Sequence, residues 1–422
     1  MYRVTHYCTV GRRILYLFLI VITPFVATGA DTQQGEIDPL IQQLQTAMGS
    51  TINVESKTGE SFLRAQLLRV NVDNKKGAII SLRIQDSGGQ TRTIRFVGIR
   101  SLTLGRETVY EAASSKAKSS MEKAVQAQLE RSAKERQLWI ERAKTRGVEP
   151  WPELTNAEHR AAIENLLQLV KQVADALPGM NLYETHEFLF ASNIPAGQVV
   201  QYTTALDAMH DKMCAMYGIK QGEPVWRGKC LVMAFLNKAE YISFEQNVLK
   251  FTLDASTANG RCHSYDDGRV IIACCRSDQP QDFAKLLVHE TSHGFIHRYR
   301  TPARLPSWVN EGMADWISRA LVPQSRSVQQ RELKAIAMMR QSHNMGGNFL
   351  MRKGNIDPWQ YGIASSITDF LLNTNADGYT RFIQGMKEGL TWVESLQAAY
   401  NCTPQELVAT YGQVIGVPDL RP

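Results

Sequence analysis

Hydrophobic and polar positions divide the chain into stretches of different period. Residues 14–22, Ile14 through Ile22, form an unbroken apolar run. From Thr51 to Leu104 the apolar residues fall into short runs: Ile52-Asn53-Val54, Phe62 to Val70, Ala78 to Ile84, Thr91 to Phe96 and Ile99 to Leu104. Polar, glycine-containing turns separate them at Lys57 to Gly59, Asp73 to Gly77 and Asp86 to Gly89. This pattern predicts five short strands. Closing them into a small antiparallel barrel would leave no bare edges. Residues 107–147 then turn to Ala, Lys, Glu, Gln and Arg, with a thin apolar seam at Met121, Val125, Leu129, Leu138 and Ile140. That predicts a long exposed linker helix. Gly147, Pro150 and Pro152 end it, and Asn156 is expected to cap a second helix running to Leu177.

Beyond residue 180 the chain mixes both periods. Strands are expected over Tyr183–Ala191, Cys230–Leu236 and Val270–Cys275, and helices over Val199–Tyr217, Leu333–Arg340 and Pro358–Leu372. Tyr379–Ile383 and Trp392–Leu396 support further helices in an all-helical lower lobe. His186 and Glu187 are consecutive strand residues in this reading, so they point to opposite faces and make poor partners at one metal.

The stretch His289-Glu290-Thr291-Ser292-His293 carries the clearest chemistry. Phe283 to Val288 precede it with small and apolar residues at helical spacing, which places it on a helix. Residues four apart stack on one helical face, so His289 and His293 can present two imidazoles to one ion. Glu290 can reach a water there but is poorly placed as a ligand. A second helix is expected after Pro306. On it Glu311 completes a set of two histidines and one glutamate suited to Zn²⁺. Asp315, one turn further, is placed to accept the outer ring N–H of His289.

His289-Glu290-x-x-His293 followed by Asn310-Glu311-Gly312-x-Ala314-Asp315 resembles the gluzincin zinc metallopeptidases, in particular the bacterial peptidase MA-like group, over roughly residues 180–410. The resemblance implies an α+β, thermolysin-like two-lobed zincin domain. It implies zinc held by His289, His293 and Glu311, with Glu290 as general base. It also implies that the edge strand beside the cleft, near Gly260–Arg269, holds extended substrate backbone. A tyrosine at the start of the core helix faces the zinc in such enzymes, and Tyr361 matches it as an oxyanion donor, with His343 as a weaker rival. The G-x-M-x-N segment of the family's aminopeptidases is missing between Trp226 and His289, which favours an endopeptidase or processing protease acting on a peptide or protein. The strand-rich segment in turn resembles an SH3-like or Sm-like barrel, a docking module for an envelope protein or cell-wall partner. The alternative is a noncatalytic envelope protein with a vestigial site. An intact Glu290 argues against it.

Composition adds an address. Arg12-Arg13, the apolar run and Ala27 to Ala30 read as a secretory signal, cleaved after Ala30 or retained as an anchor. A secreted or periplasmic location follows, with no later membrane span. The domain plan is a signal over 1–30, a barrel over 31–106, a helical linker over 107–150 and the peptidase-like domain over 151–422. The formal charge of +6 includes three arginines of the signal, too little to argue for nucleic acid. Six cysteines remain after Cys8 leaves, which suggests disulfides in an exported chain.

Overall fold

The computed structural model describes residues 39–73, 78–104, 107–112, 115–220, 222–252 and 254–422. The expected export signal, its expected cleavage point and Cys8 lie outside the described residues. The chain divides into two compact units between Arg131 and Ser132.

The first unit opens with helix α1 (Pro39–Thr46) and continues through β1 (Thr51–Ser56), β2 (Ser61–Asp73), β3 (Ala78–Gln85), β4 (Thr91–Arg95), β5 (Ile99–Leu104) and β6 (Glu107–Glu111). These form one antiparallel sheet in the order β4-β3-β2-β1-β5-β6. The expected SH3-like barrel is therefore corrected. The sheet is open, with β4 and β6 as its two edges. Two features account for this. Residues 107–111, expected to begin the linker helix, instead add a sixth strand beyond β5. The apolar face of Ile52, Val54, Leu67, Leu82, Ile84 and Leu102 is packed by Leu40 and Leu44 of α1, so a helix buries it without the sheet curling on itself. The long helix α2 follows, over Ser115–Thr145.

The second unit takes in the C-terminal part of α2 from Ser132 and continues with α3 (Asn156–Ala176). Its cap is Thr155, one residue before the expected Asn156, in a reciprocal capping box with Glu158. The expected strand over residues 183–191 is a hairpin of β7 (Asn181–Glu184) and β8 (Phe188–Ser192). Next come α4 (Ala196–Tyr217), β9 (Cys230–Phe235), α5 (Lys238–Ser243), β10 (Gly260–Ser264) and β11 (Val270–Cys275). A single turn of π-helix, Phe244–Val248, extends α5. The sheet order is β10-β11-β9-β8-β7, with β8, β9 and β11 parallel and β7 and β10 antiparallel at the edges.

The three parallel strands are buried on both faces, as continuous apolar strands require. Phe188, Val232 and Ile272 face a core shared with α4, while Leu189, Leu231 and Ile271 face a second core shared with α3. The remaining helices are α6 (Pro280–Arg298), α7 (Ser307–Leu321), α8 (Ser327–Ser342), α9 (Gln360–Thr374), α10 (Ala376–Lys387), α11 (Trp392–Tyr400) and α12 (Pro404–Ile415). The architecture is mixed α+β, a sheet-bearing part followed by a helical lobe.

The expectation of disulfides is also corrected, since all six described cysteines are free thiols. Cys274 and Cys275 alternate across β11, so each enters a different core. Among the described residues no helix is long and apolar enough to cross a membrane.

Candidate metal centre

Helix α6 starts at Pro280, which needs no donor in the first turn, and ends on His297 and Arg298, which suit the negative end of the helix. Its row Lys285, His289, His293 and His297 repeats every four residues and lines a cleft of about 740 Å³. Leu287, Val288, Phe295 and Ile296 anchor the helix in the core. Helix α7 begins directly after Pro306 and buries Trp308, Val309 and Met313. Gly312 lets it approach α9, because a Cβ there would stand 2.4 Å from the Ala364 carbonyl oxygen. The neighbouring Glu311 faces the histidines of α6.

Three donor atoms meet between these helices. Nε2 of His289 lies 3.3 Å from Nε2 of His293. Oε2 of Glu311 lies 3.3 Å from the first and 3.5 Å from the second. A tetrahedral zinc ion with ligand bonds of about 2.0–2.1 Å spaces its donors roughly 3.3–3.4 Å apart. The near-equilateral triangle therefore has the size of one face of that tetrahedron. These residues can hold a divalent ion such as Zn²⁺, and two imidazole nitrogens with one carboxylate oxygen suit it.

The electrostatics agree with a cation site. Burial alone would lower the pKa of His289, but Asp315 and Glu311 outweigh it and raise the ring to about 9. Burial likewise opposes ionisation of Glu311, yet His293 and His289 hold its carboxyl well below the usual carboxylate range. Asp315 is fully buried. Its Oδ1 lies 2.9 Å from His289 Nδ1, accepts from Arg331 Nη2 at 2.8 Å and lies 3.8 Å from Lys285 Nζ. Against the cost of burial, these cationic groups keep its pKa low.

Glu290 lines the cleft beside β10. A Cβ on Gly260 would stand 2.8 Å from Cys274 Sγ and 3.1 Å from Glu290 Cγ, so the strand can lie this close only without a side chain there. Tyr361, in the first turn of α9, lines the same cleft. Burial, then the Glu311 and Asp315 carboxylates, push its hydroxyl up to about 12, so it stays a donor at neutral pH.

The structure thus brings His289, Glu290, His293, Glu311, Asp315 and Tyr361 to one place. It puts His343 elsewhere, at the left-handed end of α8 beside Asp419. His186 and Glu187 lie in the turn between β7 and β8, where they pair with each other at 2.7 Å. Sequence reasoning missed Lys285 and Arg331, the cations around Asp315, and Gly260. Lys285 had a signal, one turn before His289 on the same row. Arg331 had none, since it arrives from α8.

No protein-family model matches the chain, and no curated protein matches it in sequence.

Proposed function

We propose that the chain is a zinc-dependent hydrolase of peptide bonds acting outside the cytoplasm, as an endopeptidase or processing protease on a peptide or protein substrate. The observation that carries this reading is the donor triangle of His289, His293 and Glu311 with Glu290 beside it in an open cleft. A purely structural zinc site is closed by four protein ligands and has no use for an adjacent base. When bound, zinc would supply Lewis-acid polarisation of a carbonyl and lower the pKa of a water.

The protein's own residues do the rest. Glu290 takes a proton from the attacking water and later delivers one to the leaving amine. Tyr361 donates its hydroxyl as negative charge develops on the carbonyl oxygen. The outer edge of β10 offers backbone groups to an extended substrate, because this strand ends the sheet and lines the cleft. Export is supported by the basic and apolar pattern of residues 1–30.

The test is metal content by mass spectrometry together with turnover of a mixed peptide library. Purified protein is expected to hold one equivalent of zinc and to cleave. Protein prepared without chelator that neither contains nor takes up zinc would end the proposal.

A further inference from the structure

Among the described residues, buried charges come with partners, with one exception. Glu245 faces His263 at 3.0 Å, Asp315 faces His289 and Arg331, Glu332 faces Arg319 at 2.6 Å, and Glu388 faces Arg142 at 2.7 Å. Lys387, the last residue of α10, is the exception. It is 1 % exposed, and no other lysine or arginine among the described residues is as deeply buried. Its Nζ donates to the Ala303 carbonyl oxygen at 2.7 Å, and no carboxylate of the described residues lies within ion-pair distance. An ammonium has three donors, so one hydrogen bond leaves it mostly unsatisfied. A buried, unpaired ammonium is costly, and proteins normally supply a counter-charge.

The residue also lines the cleft of the candidate metal centre, as do His297, Ala303, Arg304 and Leu305. The charged groups that act on Lys387 and His297 are cationic. Burial, then Arg298, push the Lys387 ammonium down to about 7. Burial, with Lys387 and neighbouring arginines, pushes His297 down to about 4. Arg304 is exposed at the same end. His297 lies four residues beyond His293 on α6, a rise of about 6 Å along the axis. An extended peptide spans roughly 3.3 Å per residue, so this end of the cleft is about two substrate residues from the metal triangle.

We infer that Lys387 is a specificity-determining residue whose missing counter-charge is a carboxylate of the substrate, held at the His297 end of the cleft. This rests on the peptide-hydrolase reading for the word substrate, but the carboxylate subsite itself does not need that reading. Two sources supply the same group, the free C-terminus of a peptide or an Asp or Glu side chain.

The probes are short peptides acetylated at the N-terminus and amidated at the C-terminus, with Glu or Gln at each position in turn. A parallel set has a free C-terminal acid. Binding is measured by calorimetry to zinc-loaded Glu290→Gln protein, and turnover with the wild type. One member bearing a carboxylate is expected to bind about tenfold or more tightly than its neutral twin, and Lys387→Met is expected to bring the pair to within about twofold. Preference for the free acid identifies the C-terminus as the source. Preference for Glu at one position identifies a side chain.

Equal binding of every acid and neutral pair overturns the inference, as does a preference that survives in Lys387→Met. If that variant does not fold, the unmutated protein decides through the NMR signal of the Lys387 side chain, which does not require access from solvent. The acid probe should shift it and its neutral twin should not; equal shifts overturn the inference. Carboxylate-dependent binding with no turnover of any probe by the wild type would remove the hydrolase reading and leave the subsite standing.

Discussion

Asp315 Oδ1 stands 2.9 Å from Nδ1 of His289, on the side of the ring away from the donor triangle. The carboxylate is buried and held by Arg331 and Lys285, so it cannot swing to solvent. It orients the imidazole, and it places negative charge behind a ring whose other nitrogen faces the ion site.

Asp315→Asn should therefore weaken zinc binding without removing a donor from the triangle. Such changes typically cost about 10–100-fold in metal affinity or activity. The check is a competitive chelator titration of wild type and variant. An unchanged affinity would mean that Asp315 serves only to neutralise Arg331 and Lys285.

Glu290→Gln should keep zinc and lose most turnover, since the amide has nearly the same shape but cannot take a proton. Glu311→Ala should lose both, because it removes one corner of the triangle. Zinc stoichiometry and steady-state rates on the same preparations separate the two roles. Full activity in Glu290→Gln would falsify the assigned base.

Much of this centre could be read from local spacing. His289 and His293 are one helical turn apart, and Glu311 and Asp315 repeat that spacing on the next helix, so each pair was readable from one segment. What the sequence hid depends on distant contacts. Arg331 reaches Asp315 from α8, and nothing near residue 331 announces it. Whether the N-terminal strands close into a barrel depends on what covers their apolar face, and Leu40 and Leu44 of α1 do so. Glu107 to Glu111 hold Thr, Val and Tyr, good strand formers, but the Ala- and Lys-rich run after them masked so short an element. The cleft end at Lys387 joins α6 and α10, which lie far apart in sequence.

The pKa of His289 gives a pH signature. In the metal-free protein the ring is raised from 6.5 to about 9, against its burial, by Asp315 and Glu311. A raised value means that protonation favours the folded state. The stabilisation is complete below the unfolded value near 6.5 and is lost as pH rises through about 9. Zinc requires the neutral ring, so its affinity should climb over the same window. Melting temperatures with chelator should fall from pH 6.5 to 9, and those with zinc should fall less. A chelated protein whose melting temperature is flat across that window would contradict the assignment.

Gly312→Ala tests whether the approach of α7 to α9 sets the position of Glu311. The added Cβ would stand 2.4 Å from the Ala364 carbonyl oxygen and 2.5 Å from Thr368 Oγ1. The first contact is with helix backbone, which cannot rotate away, so α7 must shift. Overpacking of this kind costs roughly 1–3 kcal/mol. Because Glu311 precedes the glycine, the same shift should spread the donor triangle and lower zinc affinity. Gly197 in α4 is the control. A Cβ there meets nothing within 4 Å, so Gly197→Ala should be neutral or slightly stabilising through helix propensity, by up to about 1 kcal/mol. Denaturant unfolding and chelator competition on both variants give the comparison. If Gly312→Ala lost stability yet bound zinc like the wild type, the packing of α7 would be a matter of fold alone and the position of Glu311 would not depend on it.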